Sequence, residues 1–366
     1  MIEIRPETQP NQGEFELLDD PSEILAQWTS EIDQAGPGEK VWLRTMLCRE
    51  GTVMGTLEPS LVRASQRGAV VRIILDPISY YLSNDGMPSF LRYAPFPGRS
   101  QAASDYDNNR QMLERLGRDI SVEFSRPESI ARQVFPYKGA DHIKGTRIRD
   151  KFYFGNKNLE DGSFIDMRGF VVRITNPEIV EQLTNIIGST QSPAKDKTTE
   201  IQSDPDTKIF WDAGIPNTSV IFDEALEMII SEQDFIGTSV QFLPDGKFLE
   251  ELEMALERDV RVETITSRER VFSASIPYYV VNRINAKRML MAGSPLRVAF
   301  APPDGVHAKY VVTPDKVEFG TNNHSEWGLR AGTAELALVS TNPALVAQVR
   351  AFHDRLFQAS IAVRNS

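Results

Sequence analysis

The sequence predicts an α/β fold made of two duplicated half-domains with mixed sheets, related by a pseudo-twofold axis, with a single site between them. Two observations carry this prediction. A long motif occurs twice, and helix-like and strand-like patterns alternate in the same order in both halves. With 366 residues and 41% hydrophobic content, the chain can bury one large core or two medium ones.

The repeated motif contains two His-x-Lys sequences. Residues 142–158 read HIKGTRIRDKFYFGNKN, and residues 307–323 read HAKYVVTPDKVEFGTNN. At a constant offset of 165, identical residues occur in pairs where unrelated segments would match at about one position. The identical pairs are His142/His307, Lys144/Lys309, Asp150/Asp315, Lys151/Lys316, Phe154/Phe319, Gly155/Gly320 and Asn158/Asn323. Thr-Asn-Pro recurs downstream at offset 166, at residues 175–177 and 341–343.

The upstream parts of the halves also correspond. In the first half, residues 20–23 (DPSE) read as a capping box before an amphipathic helix, and strand-like KVWLRTML follows. A helix that ends at Arg67-Gly68 then precedes the buried-looking strand Val70 to Leu75. In the second half we expect helix 222–230, strand 235–243, a helix around 249–257 and strand 260–265.

The polar, Pro-containing segment from Gly188 to Lys208 lacks a hydrophobic period and predicts a linker. We therefore expect an N-terminal half over residues 1–187, a linker over 188–208 and a C-terminal half over 209–366.

Composition narrows the class of protein. The single cysteine, Cys48, excludes an internal disulfide and a cysteine-based metal cage. The net charge of −11 and the pI near 5.1 weigh against a nucleic-acid substrate, although a local basic pocket can still bind phosphate. No stretch resembles a signal peptide or a membrane span, so we expect a cytoplasmic protein, peripheral at a membrane if its substrate is a lipid.

Each His-x-Lys pair starts a predicted strand, where alternate side chains share a face. Each strand is followed by a turn and by a second strand that ends in Gly-x-x-Asn. If the halves pack about a pseudo-twofold axis, both motifs converge, so that one site holds two imidazoles, two ammonium groups and two amides.

That set of groups suits attack on a tetrahedral phosphorus. One neutral imidazole can be the nucleophile and form a phosphohistidine, while the opposite imidazolium protonates the leaving oxygen. The lysines and asparagines would stabilise the charge on the non-bridging oxygens, and the scheme requires neither a metal nor a cofactor. The other two histidines, His324 and His353, have no repeat partner and are expected to be structural, though His324 could line the site.

Two HxK motifs, each with a nearby Asp and a GxxN, resemble the phospholipase D superfamily, and the resemblance covers nearly the whole chain, including the segment Gln66 to Asp76. It implies that His142 and His307 are the catalytic pair, that Lys144 and Lys309 bind phosphate, and that Asn158 and Asn323 assist. In two-motif members the first histidine is commonly the nucleophile. This nominates His142, with His307 as the general acid.

The sequence departs from the family pattern at several positions. Asp150 and Asp315 lie eight residues after their histidines instead of seven, and Asn156 and Thr321 replace a frequent serine. The family also places an acidic residue behind a catalytic histidine. Glu335 suits His307, whereas the first half offers only Gly169 and Phe170 there. The nearest acidic substitute is Asp166, and a weakly supported His142 keeps open the reverse assignment, with His307 as nucleophile.

Three substrate classes remain open. A phospholipid enzyme would use the aromatic segment Ile78 to Ser100 for transient contact with a membrane surface, unless that loop packs back over the core. A metal-independent nuclease would need a basic groove, and the basic run between residues 144 and 151 is short. A binding module without catalysis is disfavoured because both motifs are complete. We therefore expect a phosphodiesterase or phosphatidyltransferase acting on phospholipid head groups, with a nuclease as the alternative.

Overall fold

The structure is a computed structural model that describes residues 14–81, 99–125, 139–189, 199–241, 243–267, 297–300, 305–326 and 332–362. The first half contains strands β1 to β7, at Phe15–Leu18, Lys40–Thr45, Val70–Leu75, Ser121–Phe124, Gly145–Ile148, Lys151–Gly155 and Val171–Ile174. Its helices α1 to α5 are Pro21–Asp33, Thr52–Gln66, Ile78–Tyr81, Arg99–Leu116 and Pro177–Gly188, and a π-helix covers Gly162–Asp166.

The second half contains strands β8 to β16 and helices α6 to α8. The strands are Thr199–Asp204, Thr207–Asp212, Phe235–Val240, Arg261–Thr266, Arg297–Phe300, Tyr310–Val312, Val317–Gly320, Glu335–Ser340 and Ile361–Ala362. The helices are Val220–Ser231, Gly246–Glu257 and Pro343–Ala359. In the described ranges, no helix has both the length and the apolar character needed to cross a bilayer.

The seven strands of the first sheet recur in the same order, read in the opposite direction, within the nine strands of the second sheet. The first has the order β1-β7-β6-β5-β2-β3-β4, and the second has β16-β12-β11-β10-β13-β14-β15-β9-β8. Strands β2, β3 and β4 run parallel, as do β10, β11 and β12, whereas β5 to β7 and β13 to β15 are antiparallel. Each strand from β2 to β7 thus has its equivalent eight strands later. The predicted pair of α/β half-domains with mixed sheets is confirmed.

Local sequence explains where the helices start. Asp20 caps α1 by accepting from the backbone of Ser22 and Glu23. The repeated Thr-Asn-Pro motif has the same function at α5 and α8, where Asn176 and Asn342 are the N-caps and a proline follows. A short helix-start signal therefore recurs in both halves because both need a helix behind the last strand of the motif.

One apolar core joins the two halves. Phe154 of β6 and Phe319 of β14, equivalent residues in the repeat, pack with ring centroids 5.5 Å apart. Phe170 contacts Phe319 and reaches Phe352 of α8. Strand β1 adds a link between the chain ends, because Gln348 of α8 accepts from the backbone N–H of Leu17 and donates to a carbonyl of the same strand. The halves therefore share one interior.

The structure differs from the predicted linker, and it describes only part of the predicted aromatic segment. Strand β8 lies in the segment predicted as a linker, where Ile201 packs against the core within an otherwise polar edge strand. The aromatic segment Ile78 to Ser100 includes α3 and the start of α4, but residues 82–98 lie outside the described residues. Its proposed membrane contact therefore stays a prediction.

Candidate active site

The two HxK motifs lie where the halves cross. Each motif immediately precedes its strand, β5 or β13, instead of starting it. The backbone N–H of His142 donates to Ala334 of the other half at 2.9 Å, and that of His307 donates to Arg168 at 2.7 Å. Two isolated β-bridges beside the histidines, Asp141 with Ala334 and Arg168 with Val306, also join one half to the other. The backbone of each half thus holds the histidine of the other.

The two lysines are buried beside their histidines. The Nζ of Lys144 donates to the carbonyl of His142, and that of Lys309 to the carbonyl of His307, each at 2.8 Å. Burial lowers the pKa of Lys144 to about 8. Burial and the nearby Lys144 lower the pKa of Lys309 well below its usual value. A bound anion would favour the charged form of both lysines, so the site is suited to phosphate.

Glu335 supports His142, and its predicted pairing with His307 is wrong. The Nδ1 of His142 lies 2.9 Å from both carboxylate oxygens of Glu335. Glu335 starts β15, which leads away from the crossing at Ala334, so its side chain reaches the histidine of the opposite half. Asp166, considered as a substitute partner for His142, is exposed in the π-helix.

This pairing fixes the reactive nitrogen of His142. With Nδ1–H donated to Glu335, Nε2 keeps its lone pair and can attack an electrophile. Burial lowers the pKa of His142, and Glu335 opposes that effect. Burial alone would raise the pKa of Glu335, but His142 and Lys144 hold it below its usual value. A neutral imidazole beside a carboxylate is the resulting state.

His307 has a different environment. Its Nδ1 is buried and has no hydrogen-bond partner in the described part of the chain. Burial lowers its pKa well below the usual value, and Lys309, Lys144, His142 and Lys157 add to this effect. The two histidines of the repeat are therefore chemically unlike.

The two asparagines occupy equivalent loops. The Oδ1 of Asn158 accepts from the hydroxyl of Thr45 at 3.2 Å and from the backbone of Leu47 at 3.4 Å. The Oδ1 of Asn323 is buried without a partner among the described residues. Asp150 and Asp315 lie exposed in the hairpin turns, as a turn role requires.

Sequence reasoning missed several residues that support the motifs. The carboxylate of Glu335 also accepts from Thr321 at 2.5 Å and from Thr333 at 2.9 Å. The buried ammonium of Lys157 donates to the carbonyls of Phe164 and Met167. For the carboxylate itself, the repeat contained a signal in the sequence. The offset of 166 pairs Glu335 with Gly169, so the acidic residue has no counterpart in the first half.

The histidines without repeat partners are part of the core. His324 is fully buried, bonded to Glu318 at 2.8 Å and stacked on Phe248. His353 bonds to Tyr310 at 3.0 Å on the other face of the sheet. The prediction that both are structural agrees with these contacts.

Together these groups form a buried site with one supported imidazole, one unsupported imidazole and two cationic anchors. Such a set can deliver a nucleophile, a proton donor and fixed positive charge to a phosphate group. In the part of the chain that the structure describes, no cluster of His, Cys, Asp and Glu side chains is arranged to hold a metal ion.

Comparisons with known proteins point to one family. Residues 226–357 match the family model described as cardiolipin synthase, PLD-like domain. No curated protein sequence matches the chain significantly.

Solved structures share the fold. Phosphatidylserine synthase of Haemophilus influenzae Rd KW20 has a TM-score of 0.71 at 13% identity, covering 96% of this chain and 88% of that one. Polyphosphate kinase of Porphyromonas gingivalis has a TM-score of 0.55 at 13% identity, covering 93% of this chain and 50% of that one. At such identities these matches show the fold alone. The second half, over residues 226–357, is thus similar to the cardiolipin synthase PLD-like domain, which agrees with the resemblance of the two HxK motifs to the phospholipase D superfamily.

Proposed function

We propose that the protein cleaves or transfers phosphodiesters of phospholipid head groups through a phosphohistidine at His142. The observation that carries this proposal is the asymmetry of the two histidines. Glu335 orients the Nδ1 of His142 and leaves its Nε2 free, while the Nδ1 of His307 has no hydrogen-bond partner among the described residues. The same asymmetry argues against the reverse assignment, which rested on a His142 without an acidic partner.

The proposed reaction has two steps. The Nε2 of His142 attacks phosphorus, the bond from phosphorus to the leaving oxygen breaks, and protonated His307 gives that oxygen its proton. Neutral His307 then takes a proton from water or an acceptor alcohol, whose oxygen attacks phosphorus and breaks the phosphorus–nitrogen bond. Lys144 and Lys309 would hold the non-bridging oxygens, with Asn158 and Asn323 assisting.

A bound phosphodiester would favour protonation of His307 by solvent. Burial and the surrounding cations disfavour the imidazolium form of His307. The negative charge of a bound phosphodiester would oppose the effect of these cations and raise the pKa of His307. Substrate binding would thus favour the protonated form that acts as the general acid.

A lipid substrate is favoured over nucleic acid because the basic run after the first motif is already neutralised. Arg147 bonds to Glu181 at 2.8 Å, Arg149 contacts Glu39, and Lys151 contacts Glu31 at 2.5 Å. Paired cations contribute little to a phosphate-binding groove. The match to the cardiolipin synthase family and the fold shared with a phosphatidylserine synthase agree with a lipid.

Trapping tests the proposed intermediate. Acid quench during turnover of a labelled phosphodiester should yield an acid-labile, base-stable adduct on the peptide that contains His142. His142→Asn should never label. His307→Asn should label only with a good leaving group such as nitrophenol and should then accumulate label, because the residue that activates water is missing. An adduct on His307 would reverse the roles.

A substrate panel tests the rest of the proposal. Phospholipids with and without a primary alcohol should give hydrolysis or transfer, whereas plasmid and single-stranded DNA should remain intact. Because the proposed chemistry needs no metal, activity should survive EDTA. Cleavage of DNA but not of lipid would instead support the nuclease.

A further inference from the structure

The buried side chain of Lys157 lies in the first GxxN loop, residues 155–158. Its Nζ donates to the carbonyl of Phe164 at 2.9 Å and to that of Met167 at 2.8 Å. The backbone N–H of Met167 in turn donates to Gly162 at 3.0 Å, which closes the π-helix. Lys157 therefore ties the first GxxN loop to the end of the π-helix.

The residue that follows Met167 holds the histidine of the other half. The carbonyl of Arg168 accepts from the backbone N–H of His307 at 2.7 Å and from that of Ala308 at 3.2 Å. The carbonyl that Lys157 binds and the carbonyl that His307 binds thus belong to consecutive residues. A shift of the first carbonyl would move the second.

The second half anchors its equivalent strand by other contacts. The residue equivalent to the lysine is Asn322, whose Oδ1 accepts from the backbone N–H of His324 within its own loop. The strand that carries Glu335 is anchored through its carboxylate, which accepts from Thr321. The equivalent of Glu335 in the first half is Gly169, which has no side chain for this purpose. The buried amine anchors the first strand by a different route.

The amine of Lys157 can keep both bonds in either protonation state. Burial lowers its pKa to about 7, and Arg168 adds to this effect. Three carboxylates oppose the shift, those of Glu160, Asp19 and Asp166. An uncharged amine still has two N–H groups, one for each carbonyl. The bonds therefore do not require a permanent positive charge close to an imidazole that must take up a proton.

We propose that Lys157 is a positioning residue of His307, because it holds, at the end of the π-helix, the strand whose carbonyl binds the backbone of that histidine. The inference rests on the proposed function, in which His307 protonates the leaving oxygen and deprotonates the entering one. A group that transfers protons must lie within hydrogen-bond reach of the reacting oxygen, so displacement of the strand would slow the reaction. The first motif would thus set the position of the histidine in the second.

The charge of Lys157 provides a second readout. Burial lowers the pKa of His307, and four nearby groups add to this effect, namely Lys309, Lys144, His142 and Lys157. Burial also lowers the pKa of His142, where the cations that add to the effect are Lys144 and Lys309. Removal of the charge of Lys157 should therefore raise the pKa of His307 more than that of His142.

Hydrogen exchange of backbone amides in Lys157→Met tests the placement without any substrate. The variant removes both hydrogen bonds at a similar side-chain size, so exchange at the His307 amide should become about tenfold faster or more. Exchange at the His142 amide, which donates to Ala334, should change by less than about threefold. NMR titration of the variant should show the pKa of His307 higher by about half a unit or more.

Kinetics with bis-nitrophenyl phosphate as probe test the consequence for the reaction. In Lys157→Met, kcat should fall by about 10- to 100-fold with KM within about twofold, because His307 is displaced while the phosphate-binding lysines keep their places. Lys316→Met is the matched control, since it removes a partly buried lysine that pairs with Glu224 in the second half. It controls for general loss of stability and should leave the exchange at His307, its titration and kcat unchanged.

An unchanged exchange rate at the His307 amide in Lys157→Met would overturn the proposal, and so would an equal acceleration at His142 or an unchanged kcat. If Lys157→Met does not fold, Lys157→Gln replaces it, because its side chain is one bond shorter and gives up at least one of the two carbonyls. The exchange measurement needs no turnover. If the wild type does not cleave the probe, the proposed function fails, while exchange still decides whether Lys157 positions His307.

Discussion

The two halves hold equivalent backbones with different chemistry. In the first half, Arg44 of β2 forms a buried ion pair with Asp141 at 2.6 Å, and Asp76 accepts from the backbone of Asp141. In the second half the equivalents of Arg44 and Asp76 are Ser239 and Ser267, whose hydroxyls bond to the backbone on either side of His307. Charge is therefore not needed to shape an HxK motif.

The difference instead sets the electrostatic field at each lysine. Burial lowers the pKa of Lys144 to about 8, and the nearby carboxylates of Glu335, Asp141 and Asp76 oppose a larger shift. Burial and the nearby Lys144 lower the pKa of Lys309 well below its usual value, and Glu335 opposes this effect. Among the described residues, Lys144 thus has more neighbouring carboxylates than Lys309. The reactive groups hold equivalent positions in the two halves, while the charges around them differ.

The largest effect should come from removing the charge behind His142. Glu335→Gln keeps the shape but loses the carboxylate, so we expect kcat to fall by about 100- to 10,000-fold. Steady-state kinetics and acid-quench labelling measure this loss. Asp212→Asn, one strand away in register with Glu335, is the control and should change kcat by less than about tenfold. Similar losses in both variants would mean that His142 has no special partner.

Breaking the buried ion pair should have the next largest effect. It compares how much the equivalent residues Arg44 and Ser239 contribute to the unfolding free energy. Arg44→Leu removes the bidentate guanidinium partner of the buried Asp141 carboxylate and should cost about 3–5 kcal/mol of unfolding free energy. Ser239→Ala removes only a hydroxyl at the equivalent position and should cost about 1 kcal/mol. Urea unfolding monitored by circular dichroism gives both values. Equal costs would refute the contrast between a charged and a neutral framework.

The smallest effect concerns Lys157, whose equivalent in the second half is Asn322. Burial lowers the pKa of Lys157 to about 7. Unfolded lysine keeps its proton up to about pH 10, so between pH 7 and 10 the unfolded state binds more protons and stability rises with pH. Lys157→Asn places the same residue at this position in both halves. We expect it to reduce this rise by up to about 1.4 kcal/mol per pH unit, measured by unfolding at several pH values. An unchanged slope would contradict a strongly shifted lysine.

Sequence predicted the fold well because its signals are local. Caps such as Asp20 and Asn342, and apolar strands such as Val70–Leu75, are visible in a short window. The repeat then supplied the architecture. The partner of each histidine was not predictable in this way, since the contact between His142 and Glu335 joins residues 193 positions apart. The contact depends on how the backbone of one half pairs with that of the other, and residue spacing does not encode this pairing.

The same limit applies to Arg44 and Asn156. An arginine in a strand and an asparagine after a glycine look ordinary in sequence. The packing of the halves makes Arg44 a buried ion-pair partner and buries the amide of Asn156 without a hydrogen-bond partner among the described residues. The apparent charge of the run after His142 was misleading for the same reason, because its acidic partners lie on distant helices and loops.

The contact of β1 with α8 has a consequence for how the molecule unfolds. The first described strand is hydrogen-bonded into the first sheet through β7 and is held by Gln348 of the last long helix. Loss of either end would thus disturb both halves at once and expose the apolar surface they share. Although the two halves repeat one strand order, denaturation of the chain should be a single cooperative transition instead of two successive ones.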